Sequence, residues 1–137
     1  MKYTYFIAGE KIEAEIVGLI REGTFIDTDI ECITMISMEN YEIDGKIETY
    51  PEEFGRLTIS LGHPVPVKKE DGYVYGFVDT NNLSGAIEFI AKYTLGEICN
   101  DDSGKEVWER SGFCIYPLYK FSIEQLKKYE FQLEQEV

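Results

Sequence analysis

The 137-residue sequence predicts an α+β fold, an antiparallel β-sheet with two α-helices packed on it, in one domain over residues 1–137. Three observations carry that reading. Short β-prone pieces separated by turn residues fill the first half of the chain, with polar and apolar residues alternating at a period near two. Further on, two segments have apolar residues at helical spacing between capping residues. Hydrophobic residues make up 44%, with ten Tyr and eight Phe, so a chain of this length can bury a core without disulfides.

The first element is a hairpin of residues 3–8 and 11–21 around Ala8-Gly9-Glu10, with Gly9 taking positive φ and Ile12, Ala14 and Ile16 on one face. Strand pieces follow at about 24–36, 38–43, 46–50 and 56–61, and Asp44-Gly45 is a strong hairpin signal between two of them. In Asp29-Ile30-Glu31-Cys32-Ile33-Thr34-Met35 and Tyr41-Glu42-Ile43 the alternation predicts one covered sheet face and one acidic face. Pro64, Pro66 and Lys68-Lys69-Glu70-Asp71-Gly72 mark a loop, and Tyr73 to Val78 a further strand.

Leu83, Ile87, Ile90 and Thr94 predict the first helix, with Asn81, Asn82 and Ser84 as alternative N-caps and Gly96 as its C-cap. Residues 97–112 contain Asn100-Asp101-Asp102-Ser103-Gly104, a turn-rich loop, before Phe113 to Phe121 resumes as a short strand that Pro117 places at an edge or a bend. Ser122 and Gln125 make a capping box for a closing helix with a Leu126, Tyr129, Leu133 stripe.

Charge is the most distinctive property. The net charge is −13, and Glu22 to Gly55 holds ten Asp or Glu against the single Lys46. Affinity for nucleic-acid phosphates comes from Lys and Arg releasing counterions, so direct DNA or RNA binding is excluded, and anionic membranes are disfavoured. The balance favours a protein partner with a basic surface, and it also keeps a protein soluble. Cys32, Cys99 and Cys114 are widely spaced and form no Cys-x-x-Cys pair, which points to free thiols and a cytoplasmic setting. The N-terminal apolar run soon meets Glu10, Lys11 and Glu13, unlike a signal peptide, and no window approaches the roughly twenty apolar residues of a membrane span.

No catalytic or metal signature stands out, and the sequence implies no cofactor. His63 is the sole histidine, and nothing beside it or Cys114 marks an activated nucleophile. The four Cys and His residues lie too scattered for structural zinc, and Asn100-Asp101-Asp102-Ser103 reads as a solvated turn rather than a calcium loop. The common nucleotide-binding fingerprints are missing. Two polar segments remain as a candidate ligand site: Asp79, Asn81 and Asn82 before the first helix, and Arg110, Ser111, Tyr116 and Tyr119 further on. Helix-start N–H groups and the Arg110 fork would suit an anion; in the bland alternative the same side chains cap the helix and fill the core.

In the C-terminal half, Val78-Asp79-Thr80-Asn81-Asn82, a helix ending Leu95-Gly96-Glu97, and Ser111-Gly112-Phe113-Cys114-Ile115-Tyr116-Pro117-Leu118-Tyr119 resemble a family of small bacterial proteins. That family is carried largely on plasmids, conjugative elements and related mobile DNA, and the resemblance covers about residues 73–121. It implies no activity and gives no residue a role. The expected function is a non-enzymatic accessory or interaction protein of a mobile element. In its sharper form Glu31, Glu39, Glu42, Asp44, Glu48, Glu52 and Glu53 mimic nucleic-acid phosphates and occupy the basic groove of a host protein. The alternative is a binding protein for an anionic or nucleotide ligand between residues 79–82 and 110–119; an enzyme using His63 or Cys114 is a third reading. Edge strands also leave a homodimer open.

Overall fold

Strands dominate the computed structural model, which describes residues 1–26 and 28–132. Among the described residues, β1 (Lys2–Ile7), β2 (Glu10–Glu15), β3 (Gly18–Thr24), β4 (Glu31–Ile43), β5 (Lys46–Arg56), β6 (Thr58–Ile59) and β7 (Tyr73–Val78) come first. Then follow α1 (Ala86–Lys92), β8 (Gly96–Ile98), β9 (Trp108–Ser111), β10 (Cys114–Ser122) and α2 (Ile123–Lys128). With 54% of the described residues in strands and 10% in helix, the fold is mostly β, and the predicted α+β packing is incorrect. The strands form three small sheets rather than one: β1-β2, β3-β4-β5, and β6-β7-β10-β8 with β9 also on β10.

The helices fall short for tertiary reasons. Residues 80–84 turn instead of joining α1, whose N-cap is Gly85 at φ 90° with no side-chain cap. Neither Asn81, Asn82 nor Ser84 caps it. At the other end Thr94 takes φ 49° and stops the helix before Gly96, which opens β8. A Cβ on Gly96 would meet the Lys120 carbonyl oxygen at 2.3 Å, so this glycine serves close strand approach, not capping.

Ser122 does cap α2, accepting from Gln125 N at 3.2 Å. The Gln125 side chain leaves the capping box and donates to the Tyr93 carbonyl at 3.1 Å, tying α2 to the end of α1. Gln125→Ala is expected to cost about 1 kcal/mol, the loss of one hydrogen bond at a helix end, read as a lower urea midpoint with unchanged slope. After Lys128 the chain leaves the helix because Tyr129 and Phe131 bond Leu19 of β3 at 2.8 and 2.9 Å. Gly18 makes this possible, since a Cβ there would meet Phe131 Cα at 2.5 Å. Leu133 of the predicted stripe lies outside the described residues.

The hairpin turns follow the sequence. Ala8 and Gly9 have φ 49° and 82°, and Asp44 and Gly45 have φ 52° and 76°, the paired positive values of a type I′ turn. The second strand of the first hairpin ends at Glu15, with Ile16 and Val17 linking it to β3. Tyr73–Val78 is a strand as expected, whereas the pieces around Asp44-Gly45 fuse into strands of thirteen and eleven residues.

The β7-β10 sheet is covered on both faces. Val78, Tyr119 and Phe121 face the main core with Tyr3, Leu19, Ile33, Met35, Phe89 and Ile90. Tyr75, Phe77, Tyr116 and Leu118 face a second cluster with Ile30 and Cys99, covered by Ile59, Leu61, Val65 and Val67. Pro117 sits inside β10 just past its last pair with β7, Leu118↔Phe77. Because Leu118 N donates to Val107 on the other side, the missing N–H of Pro117 faces the β7 side where no ladder continues.

Candidate functional site

The inner and outer halves of the β4–β5 ribbon differ sharply. From Glu31 to Ser37, β4 is buried on both faces, packed between β3 and the β6-β7 layer, so the predicted alternation of covered and acidic faces does not hold there. From Met38 to Ile43 it is exposed on both faces, and so is β5 from Lys46 to Tyr50. β3 pairs only as far as Ile36, so the outer half is an unsupported two-stranded arm.

Register sorts the carboxylates on the arm. Ser37↔Glu52, Glu39↔Tyr50, Tyr41↔Glu48 and Ile43↔Lys46 are opposite pairs and share one face. That face gathers Glu39, Glu48 and Glu52 around Tyr41 and Tyr50, whose ring centroids are 6.2 Å apart. Tyr41 donates to Glu52 and Tyr50 to Glu48, and these carboxylates push both phenols above their ordinary range. Glu42 and Glu53 lie on the opposite face with Met38 and Ile47, the latter 75% exposed. Arg56 holds Glu53 at 3.0 Å, and Asp44 occupies the tip.

Glu31, grouped with these residues in the sequence, is elsewhere. It is 6% exposed, and its Oε1 accepts from Arg21 Nε at 2.8 Å. A buried carboxylate needs such a partner, so Glu31 belongs to the interior and not to the arm.

The second candidate group is divided by β10. Asp79 is buried, and its carboxylate accepts from the Asn82 backbone at 3.3 Å and the Asn82 amide at 3.0 Å. Asn81 is exposed beside it. Tyr116 is close enough for the Asp79 charge to help push its phenol up, after burial and the Cys114 contact. Arg110 pairs with Ile115 and Ser111 with Cys114 on the β9 side of β10, away from β7 and Asp79. Tyr119 packs in the main core.

An open cleft of about 580 Å³ was not foreseen; Lys68, Glu70, Tyr75, Glu97, Cys99 and Lys120 line it. Lys120 there pairs with Glu70 at 2.9 Å and Glu97 at 3.4 Å and lies over the Tyr73 ring, so its charge is internally compensated. Burial pushes the Cys99 thiol up to about 11, the reverse of an activated nucleophile. His63 stands edge-on to Phe77 and 3.7 Å from Glu109. Among the described residues no group of three or more His, Cys, Asp or Glu is placed to hold a metal ion, and no helix is long and apolar enough to cross a membrane.

The scaffold is mostly β and projects an acidic, tyrosine-bearing arm. By sequence the chain belongs to the DUF4313 family, described as a domain of unknown function, whose model matches residues 33–136. The match takes in the whole arm and extends well beyond residues 73–121. No match was found among curated proteins or among solved structures.

Proposed function

We propose that this protein acts in the cytoplasm by binding a basic protein surface through the β4–β5 arm, as a non-enzymatic accessory factor of a mobile element. The arm's exposure on both faces carries the reading. A ribbon that adds nothing to either core, yet holds six carboxylates and one Lys between Met38 and Glu53, gains its stability from elsewhere and is free to dock. Carboxylates spaced along the strands present a row of negative charge with tyrosine faces between them, which suits Lys and Arg in a groove built for phosphates. The resemblance over residues 73–121 supports the mobile-element setting, and the free thiols support a reducing compartment.

The test compares two variants of equal charge change. Glu39→Gln, Glu48→Gln and Glu52→Gln together remove the tyrosine-face carboxylates; Glu10→Gln, Glu13→Gln and Glu124→Gln remove three on other elements. Each protein is immobilised, exposed to a bacterial lysate and eluted along a salt gradient. The arm variant is expected to lose a nucleic-acid-binding protein that wild type and control both retain, and wild-type capture is expected to weaken with salt, as screened contacts do. Equal capture by the two variants would reduce the acidic arm to a solubilising surface.

A further inference from the structure

We propose that the free edge of β9, with the apolar face beside it, joins two copies of this chain about a two-fold axis. The main-core face of the β7-β10 sheet does not end where the core ends. Along β10 it runs from buried Phe121 and Tyr119 through Pro117 to Ile115, 51% exposed; Phe113, in the turn that joins β9 to β10, is fully exposed. Across the ladder, Trp108 opposite Pro117 and Arg110 opposite Ile115 lie on the same face and are exposed as well. Ile115 and Trp108 thus continue the core surface as exposed apolar side chains, and Phe113 adds a third at the neighbouring turn.

The edge next to that face is ready to pair. Among the described residues β9 has β10 as its strand partner and no other, and Leu118 N donates to Val107 at 2.9 Å. By the alternation of an antiparallel ladder, Glu109 and Ser111 then bond inward to β10, and the N–H and C=O of Trp108 and Arg110 face outward. A two-fold axis at Glu109 sets Trp108 opposite Arg110 of the partner subunit. Both are outward-bonding residues, so the register forms two hydrogen-bonded pairs and places each guanidinium over an indole. The two exposed apolar faces become one continuous surface. Glu109 meets its own copy on the other face, beside His63.

A second copy fits this edge better than the longer exposed edge of β5. Self-pairing of β5 would lose a donor at Pro51, whereas β9 has no proline and carries a cation next to an indole.

Sedimentation equilibrium of the full chain, over a range of concentration and salt, tests the proposal. A monomer–dimer equilibrium is expected that tightens as salt rises, because two copies of charge −13 repel. Arg110→Pro removes one outward N–H without touching the β10 ladder and is expected to raise the dissociation constant about tenfold or more. Phe113→Ser with Ile115→Thr, which removes apolar contact only, should act in the same direction while far-UV circular dichroism and melting stay as in wild type. A monomer under every condition, or a dimer indifferent to both folded variants, overturns the proposal. Dimerisation needs no other protein and responds to salt with the opposite sign from arm binding, so either reading can fail while the other stands.

Discussion

Gly85→Ala is expected to destabilise the protein by about 3–5 kcal/mol, lowering the melting temperature by roughly 10 °C or more. Two costs act together. Gly85 holds φ 90°, where an L side chain is strained by about 1–3 kcal/mol. A Cβ built there would also lie 2.2 Å from the Thr4 carbonyl oxygen, a contact with backbone that no side-chain rotation relieves. The site is a junction: the Tyr3 hydroxyl donates to the Ser84 carbonyl at 2.7 Å, and Phe89 N donates to the Gly85 carbonyl at 2.9 Å, so β1 is packed against the first turn of α1. Gly45→Ala is the control. Its φ of 76° is comparable, but nothing lies within 4 Å, so only the dihedral strain remains, about 1 kcal/mol. Equal melting shifts for the two variants would show that β1 yields to the methyl group and that its packing on α1 is loose.

The same junction shows why the helices were over-read from sequence. Leu83, Ile87 and Ile90 do have helical spacing, and Ile90 is buried as a helical apolar position should be. What sets the boundaries is contact with residues far along the chain, Thr4 at the start of α1 and Lys120 beside Gly96, and no local pattern encodes those. Hairpins fared better because their signal is local: Asp44-Gly45 supplies positive φ whatever surrounds it. The capping residue Ser122 was legible for the same reason, although the destination of the Gln125 side chain, on the end of α1, was not.

Alternation in β4 misled in an instructive way. A period of two indicates which side chains share a face, yet it cannot indicate whether a second layer covers the polar face. From Glu31 to Ser37 both faces are buried, and the polar positions Glu31 and Thr34, which their spacing puts on opposite faces, each have a partner on β3, Arg21 for one and Glu22 for the other. Beyond Ser37 both faces are exposed. The acidic stretch was therefore visible in the sequence as a composition, and its division into a buried root and a free arm was not. Arg21 is the residue that could have separated Glu31 from the others, but only once the register of β3 on β4 was known.

Thr58→Val is the second substitution of large expected effect, at about 3 kcal/mol, although it changes shape hardly at all. Thr58 is fully buried in the two-residue strand β6. Its hydroxyl donates to the Glu31 carbonyl at 2.6 Å and accepts from the Ile33 backbone at 3.0 Å, and Leu57 N adds a bond to the Ile33 carbonyl at 2.8 Å. These bonds clamp the root of β4 to the β6-β7 layer, where the β3-β4-β5 sheet meets the sheet of β7 and β10. Valine keeps the volume and leaves the Ile33 N–H without its acceptor, away from water, which costs more than the hydrogen bond itself contributes. Thr58→Ser reverses the trade. It keeps both bonds and deletes the methyl that fills the space next to Gly76, where a Cβ would come within 2.4 Å of it, so its cost is about 1 kcal/mol. Urea titrations should therefore rank wild type above Ser and Ser above Val. A milder Val than Ser would mean that methyl packing, and not the hydroxyl, holds the arm's root to the body of the protein.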